Sequence, residues 1–174
     1  AFSTTPLEMA EQALQFEEII EERQEEAAVL RQPVIAVSTL EKKPVWELSE
    51  KDYEVLLRIV EAEAGCEDEN GRLLVANVVF NRVKSEQFPN TVTEVVYQNS
   101  GGKYQFSPVA NGSIRRVRVS ELTVSAVNRA LEGEDISHGA LYFAARKAAD
   151  PRNMRWFDNH LNRLFAYGGH EFFE

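Results

Sequence analysis

The first part of the chain carries apolar side chains at alternating three- and four-residue steps, which predicts one long helix from Pro6 to about Arg31. Eight glutamates and two arginines cover the other faces of that helix. A narrow apolar stripe of this kind is typical of a helix that docks on a protein partner, self-associates as a weak coiled coil, or tethers a folded domain. The stripe consists of Met9, Ala13, Phe16, Ile20, Ala27 and Leu30.

Residues 32–48 contain two prolines and a short apolar run, a pattern typical of an extended linker. Ser49 begins a capping-box pattern that ends at Asp52 and opens the next helix. We therefore predict two parts, an N-terminal helical arm with its linker at 1–48 and a folded domain at 49–174.

Helical periodicity recurs in four stretches of the folded domain. Turn residues in the segment Lys103–Gly112 predict a short hairpin or an irregular loop. The aromatic segments Ala140–Phe143 and Tyr167–Phe173 predict short strands or an irregular ending. The fold class is therefore mainly α with a small β element (α+β). The predicted helices run from Ser49 towards Gly65, from Gly71 to Lys84, from Thr91 to Tyr97 and from Ser120 to Glu132.

The chain has a formal net charge of −9, and most of the acidic excess lies in residues 1–52, which hold 12 acidic and 5 basic side chains. Sequence-independent binding to nucleic acid requires a stripe of lysines or arginines, and the only local basic cluster here is Arg115, Arg116 and Arg118. We therefore expect no nucleic-acid partner. The lack of an apolar run of about 18 residues predicts no membrane span.

The sequence offers few residues for redox, metal or cofactor chemistry. Cys66 is the only cysteine, so no disulfide can form within the chain. The histidines His138, His160 and His170 do not show the spacing of zinc ligands, and we expect no metal site. Fingerprints of serine hydrolases, P-loop proteins and dinucleotide-binding domains are missing from the sequence, so we expect no cofactor.

Glu63 stands at the end of an apolar helical stretch, just before Gly65. A carboxyl group there faces the negative end of the helix dipole, and its apolar neighbours withdraw water from it. Both effects favour the protonated form, which is the form that glycosidic bond cleavage requires. The alternative for Glu63 is a solvated surface charge without a chemical role.

A series of short motifs follows from Glu63 to the end of the chain. They are Glu63-Ala64-Gly65-Cys66-Glu67, Arg72–Val83 with its Asn81-Arg82-Val83 ending, Phe88–Tyr97, Gln105–Val109 and Gly168-Gly169-His170-Glu171-Phe172. Each motif alone is common, but their order and spacing resemble the SleB/CwlJ-type cell wall hydrolases, the spore cortex-lytic family that cleaves peptidoglycan. The resemblance extends from about Tyr53 to Phe173.

This resemblance implies a lysozyme-like, lytic-transglycosylase-like catalytic domain at 49–174, peptidoglycan glycan strands as the substrate, and Glu63 as the catalytic acid. It also implies a secreted protein that acts at the cell wall or the spore, although no signal peptide is visible in this chain. Cys66 departs from the family motif, which has a glycine there, while Glu67 matches the second glutamate of that motif.

The identity of a second catalytic carboxylate is left open by the sequence. Glu61 lies on a different face of the helix from Glu63, and the acids Glu67, Asp68 and Glu69 have the placement of helix-capping residues. One acid is enough for lytic transglycosylation, whereas muramidase-like hydrolysis usually uses two. An amidase that cuts the bond to the peptide, and a noncatalytic peptidoglycan- or partner-binding module, are further alternatives.

Sugar rings present apolar C–H faces together with hydroxyls, so aromatic and amide side chains are the expected contacts. For each aromatic candidate the alternative is packing in the core. Ala144 and Ala145 follow Phe143, where the family often has an asparagine, and this departure weakens a sugar role for that strand. Asn77 and Asn81 are expected to bond the backbone of a neighbouring loop. The candidate substrate-binding residues are Tyr97, Gln105, Phe106, Tyr142, Trp156 and His170.

Overall fold

The computed structural model describes residues 45–174. The predicted helix Pro6–Arg31 and its partner interactions lie outside the described residues, as does most of the predicted linker. In the described part, helices surround a central helix and a small sheet closes the C-terminal end. The helices are α1 (Glu50–Ala64), α2 (Glu69–Lys84), α3 (Val92–Val96), α4 (Ser107–Ala110), α5 (Glu121–Leu131) and α6 (Pro151–His160), with a 3-10 turn at Ser113–Arg115.

The described end of the predicted linker packs on the domain. Trp46 stacks on Phe80 with ring centroids 4.4 Å apart, and its backbone N–H donates a hydrogen bond to the Leu131 carbonyl. Ser49 then caps α1 as predicted, because its hydroxyl accepts a hydrogen bond of 3.1 Å from the Asp52 N–H.

The central helix is α2, in which every residue from 71 to 80 is buried. It begins at Glu69, two positions before the predicted start, because Asp68 caps it by accepting a hydrogen bond of 2.9 Å from the Gly71 N–H. The amide of Asn77 donates to the Glu134 carbonyl and that of Asn81 to the Ala140 carbonyl. The predicted structural role of both asparagines is therefore confirmed.

The two remaining predicted helices also begin directly after capping residues. The Thr91 hydroxyl accepts from the Glu94 N–H at the start of α3, and the Ser120 hydroxyl accepts from the Thr123 N–H at the start of α5. Gly133, which ends α5 in the sequence pattern, has a φ of 94° just after the helix.

Two small antiparallel sheets complete the described domain. The strands β1 (Asn99–Ser100) and β2 (Lys103–Tyr104) form a short hairpin. Only β2 lies in the segment Lys103–Gly112 for which the sequence left a hairpin or an irregular loop open, and helix α4 follows in that segment. The second sheet has the order β3-β5-β4, and its central strand places Phe172 and Phe173 in the core. The strands of this sheet are β3 (Tyr142–Ala144), β4 (Arg163–Tyr167) and β5 (His170–Phe173).

The predicted class, mainly α with a small β element, is confirmed. The sequence pattern did not predict helices α4 and α6 or most of strand β4. In α6 only Met154 is buried, and its apolar side chains are too few to identify a helix in the sequence, although its polar and apolar residues separate onto different faces. Helix α4 has four residues, which is too short for a period to show. None of the helices between residues 45 and 174 combines the length and apolar character that a membrane span requires.

Candidate active site

Glu63 lies in the last turn of α1, where its side chain is largely removed from water. Burial raises the pKa of Glu63 from 4.5 to about 7, while the nearby positive charge of Arg82 acts in the opposite direction. A carboxyl group with this pKa is protonated in a large fraction of molecules near neutral pH. It can therefore donate a proton and afterwards accept one.

Arg82 lies in α2 and is 4% exposed. Its Nε donates a hydrogen bond of 2.7 Å to the carbonyl of Leu141, just before β3. Its guanidinium carbon lies 4.9 Å from the ring centre of Phe88 and 5.2 Å from those of Phe106 and Tyr142. Burial lowers the pKa of Arg82 to about 10, against the opposing effects of Tyr142 and Glu63. The group stays a cation near neutral pH.

Glu61, the other acid of the last turns of α1, belongs to a separate network. Its carboxylate pairs with Arg72 at 3.0 Å and accepts hydrogen bonds from the hydroxyls of Ser120 and Thr123. Burial pushes the pKa of Glu61 upwards, but the bonds from Thr123 and Ser120 and the charge of Arg72 together hold it below its ordinary value. Glu61 is therefore a permanently ionised member of a structural network that joins α1, α2 and α5.

The loop after Glu63 attaches to the turn between β4 and β5. The Glu67 carboxylate accepts a hydrogen bond of 2.9 Å from the Gly169 N–H, and it lies 3.7 Å from the Nδ1 atom of His170. Asp68 accepts a hydrogen bond of 2.6 Å from the hydroxyl of Tyr167. Both acids thus hold the C-terminal hairpin against the loop that follows the candidate catalytic acid.

The departure at Cys66 does not strain this loop. Among residues 45–174 the only non-glycine residue with a positive φ is His138, so Cys66 has a backbone conformation open to any residue. Its side chain is exposed.

Three of the predicted sugar contacts are accessible from solvent. Tyr97 is 37% exposed at the end of α3, and Gln105 is exposed directly after β2. Trp156 is 47% exposed on α6, and its ring stacks on that of His160 with centroids 5.0 Å apart. These side chains can contact a polymer without any rearrangement of the core.

The other three predicted contacts are partly or fully buried. Tyr142 is half-buried beside the Arg82 guanidinium. Phe106 is 2% exposed and His170 is 8% exposed, and both rings pack against Phe143, with centroids 6.1 Å and 5.3 Å away. The placement of Phe106 and His170 fits the alternative of core packing better than direct contact with a sugar.

Arg82 belongs to one of the sequence motifs, but the sequence alone does not assign it a role. One signal was present, because two charged residues, Arg72 and Arg82, interrupt the apolar pattern of α2. A charge inside a buried helix requires partners or a function. Across residues 45–174, no three His, Cys, Asp or Glu side chains come together in a way that could hold a metal ion.

Residues 66–173 match the family described as Cell Wall Hydrolase. Glu63 lies three positions before that segment. The chain is 33% identical over 116 residues to the cell wall hydrolase CwlJ of Oceanobacillus iheyensis, which covers 63% of this chain and 77% of the relative.

Longer relatives match as well. The chain is 35% identical over 95 residues to spore cortex-lytic enzymes of Bacillus cereus and Bacillus subtilis, which covers 55% of this chain. That alignment covers 35% of the first relative and 30% of the second, so this chain spans about a third of their length.

Two solved structures share the fold. One is the catalytic domain of the germination-specific lytic transglycosylase SleB from Bacillus anthracis, with a TM-score of 0.61 and 29% identity over 72% of this chain and 96% of that chain. The other is the catalytic domain of the Bacillus cereus SleB protein, with a TM-score of 0.60 and 29% identity over 77% and 97%. The predicted lytic-transglycosylase-like architecture is thereby confirmed.

Proposed function

Because the chain belongs to the cell wall hydrolase family, we propose that it cleaves the glycan strands of bacterial peptidoglycan with Glu63 as its general acid and base. The observation that carries this proposal is the half-buried carboxyl group of Glu63 at the end of α1, whose pKa desolvation raises to about 7. Glycoside cleavage requires an acid that is still protonated near neutral pH, and burial is the usual way to obtain one.

The surroundings of Glu63 favour a mechanism with a single carboxyl group. Glu61 is paired with Arg72, Glu67 binds the Gly169 N–H, and Asp68 binds the Tyr167 hydroxyl. Each neighbouring acid therefore has a structural task. Hydrogen bonds hold the pKa values of Glu61 and Asp68 below their ordinary values, whereas burial raises the pKa of Glu63, which sets Glu63 apart as the proton donor.

The reaction that suits one carboxyl group is lytic transglycosylation. Glu63 donates its proton to the bridging oxygen while the bond from the sugar's C1 to that oxygen breaks. The C6 hydroxyl of the same muramic acid then forms a bond to C1, and its proton passes to the Glu63 carboxylate. The products are a 1,6-anhydro ring and a free hydroxyl on the departing sugar, and no water is consumed.

We assign the exposed side chains to binding of the glycan strand. Tyr97, Gln105 and Trp156 offer aromatic faces and an amide to the solvent, while half-buried Tyr142 lies beside Arg82. We place Phe106 and His170 behind these contacts, where they keep Phe143 and the strands in position. A protein with this substrate acts outside the cell membrane, at the wall or in the spore cortex.

The test is digestion of purified cortex and vegetative sacculi by the wild-type protein and by Glu63→Gln, followed by mass spectrometry of the fragments. We expect 1,6-anhydromuramic ends from the wild type and at least a thousandfold slower release from Glu63→Gln, whose amide cannot donate the proton. Binding of Glu63→Gln to sacculi is expected to persist, because the substitution keeps the size of the side chain.

Other outcomes point to other functions. Reducing ends that carry ¹⁸O from labelled water would mean hydrolysis, in which water takes the place of the C6 hydroxyl. Release of intact peptide stems would mean an amidase. Full activity of Glu63→Gln would remove Glu63 from the mechanism, and binding without turnover by the wild type would leave a noncatalytic module.

A further inference from the structure

We propose that Arg82 is a positioning residue of this site, whose fixed positive charge stabilises the Glu63 carboxylate that forms when the proton leaves. The proposal rests on the proposed function, in which Glu63 loses a proton to the bridging oxygen and later regains one. Arg82 itself does not touch the sugar, because it is buried with 4% of its surface exposed.

The position of the Arg82 charge is fixed by its surroundings. Its Nε is anchored to the Leu141 carbonyl at 2.7 Å, and the rings of Phe88, Phe106 and Tyr142 lie around its guanidinium at 4.9 to 5.2 Å. A cation held in this way needs no rearrangement at the moment of proton transfer. Preorganised charges of this type stabilise developing charge far better than mobile solvent does.

A comparison with Arg72 on the same helix shows that Arg82 lacks a permanent counter-ion. Arg72 pairs with Glu61 and also donates to Ser120, Thr123 and the carbonyls of Gly65 and Glu67. Arg82 makes a hydrogen bond only through Nε, and its buried Nη1 has no hydrogen-bond partner in the described part of the chain. A buried cation without a counter-ion strongly favours the appearance of a negative charge nearby.

Glu63 and Arg82 act on each other electrostatically. The charge of Arg82 lowers the pKa of Glu63, and Glu63 and Tyr142 raise the pKa of Arg82. Glu61 and Glu67 are held by Arg72 and Gly169. Burial alone would keep Glu63 protonated, and a carboxyl that never ionises is a poor acid. The Arg82 charge brings the proton affinity of Glu63 into the range where it can both donate and accept.

The first test measures the pKa of Glu63 directly by ¹³C NMR of its carboxyl carbon, with Glu63→Gln to assign the signal. Arg82→Met removes the charge, and we expect the pKa of Glu63 to rise by about one pH unit or more. Arg82→Lys keeps the charge, and we expect the pKa to stay near 7 and the digestion rate to stay within about threefold of the wild type. An unchanged pKa in a folded Arg82→Met variant would overturn the proposal.

The second test needs no substitution of Arg82, so it remains decisive if Arg82→Met fails to fold. The Nε–H signal of Arg82 is followed by ¹⁵N NMR across the pH range in the wild type and in Glu63→Gln. We expect an inflection near pH 7 that disappears in Glu63→Gln. A flat signal in the wild type would mean that the two groups are not coupled, and it would overturn the proposal.

Both NMR readouts work without substrate, so they separate this inference from the proposed function. Full digestion by Glu63→Gln would defeat the function regardless of the NMR result. Loss of digestion in Glu63→Gln together with an uncoupled Arg82 would defeat only the role of Arg82. As a further readout, the alkaline limb of the pH–rate profile is expected to move to higher pH in Arg82→Met and to stay in place in Arg82→Lys.

Discussion

The Gly169 N–H donates a hydrogen bond of 2.9 Å to the Glu67 carboxylate. This bond joins the turn between β4 and β5 to the loop that follows the candidate catalytic acid, two elements that are far apart in the sequence. Glu67 of the first sequence motif and the pair Gly168-Gly169 of the last motif therefore form one structural unit. The presence of both motifs in this chain is therefore explained by the contact between them, independently of catalysis.

Gly168 is the residue through which this unit can be tested. It has a φ of 56°, and a Cβ built there would overlap the carboxylate of Glu67. Gly168→Ala therefore combines a steric clash with the cost of placing alanine in the left-handed backbone region. We expect a loss of about 2–4 kcal/mol in the free energy of unfolding, measured by chemical denaturation.

Gly139→Ala is the matched control, because Gly139 has a φ of 81° and nothing lies within 4 Å of its added Cβ. We expect this variant to lose only about 1–2 kcal/mol, the cost of the backbone conformation alone. Equal losses in the two alanine variants would show that the Glu67 carboxylate moves aside freely.

Local signals explain most of what the sequence predicted correctly. The caps at Ser49, Thr91 and Ser120 act within three residues, so the helices could be placed from the sequence pattern alone. The order of motifs identified the family, and that resemblance is confirmed by the match over residues 66–173. The helical context of Glu63 also indicated its burial.

The features that the sequence did not predict depend mainly on contacts between residues that are far apart in the sequence. Arg82 is anchored by the Leu141 carbonyl 59 positions away, and no periodicity can reveal that partner. Phe106 shares a motif with Gln105 but points into the core, because a residue's burial depends on the packed neighbours and not on its motif. Helix α6 was missed because few of its side chains are apolar, and helix α4 was missed because four residues are too short to show a period.

Glu61 is expected to contribute to stability rather than to proton transfer. Glu61→Gln would leave the buried cation of Arg72 without its counter-ion, and we expect a loss of roughly 3 kcal/mol in the free energy of unfolding. In a digestion assay the pH–rate profile should keep its shape, since the proton donor is unchanged.

The exposed pair Arg58–Glu54 on the same helix provides the comparison. Glu54→Gln should change the free energy of unfolding by about 0.5 kcal/mol or less, because solvent screens an ion pair of this kind. If Glu61→Gln changed the free energy of unfolding as little as Glu54→Gln does, the network around Arg72 would not contribute more to stability than an exposed ion pair.

Trp156 is expected to act in binding and not in folding. Its ring is 47% exposed and stacks on His160, so Trp156→Ala should cost little stability while removing a flat apolar surface for a sugar. We expect KM for soluble glycan fragments to rise roughly three- to tenfold with little change in kcat. Leu122→Ala, at an apolar position that is 40% exposed on α5, should leave KM unchanged. Equal effects of the two substitutions would argue against a sugar contact at Trp156.

The raised pKa of Glu63 predicts how stability depends on pH. The group has an ordinary value of 4.5 and a value of about 7 in the folded protein, so the folded state binds more protons than the unfolded state between these limits. The contribution of Glu63 to the free energy of unfolding is therefore fully present below about pH 4.5 and is lost as pH rises towards 7, by roughly 3 kcal/mol in total.

The comparison of the wild type with Glu63→Gln isolates this contribution from other groups that titrate. Burial lowers the pKa of His170, with Glu67 opposing, so His170 favours the folded state as pH rises and partly masks the effect of Glu63 in the wild type. The difference in unfolding free energy between the wild type and Glu63→Gln, measured from pH 4 to pH 8, should fall steadily and level off above pH 7. Glu86→Gln, at an exposed site, should give a flat difference over the same range. A flat difference for Glu63→Gln as well would mean that this carboxyl group is as acidic as a free side chain, and the proton donor would have to be sought elsewhere.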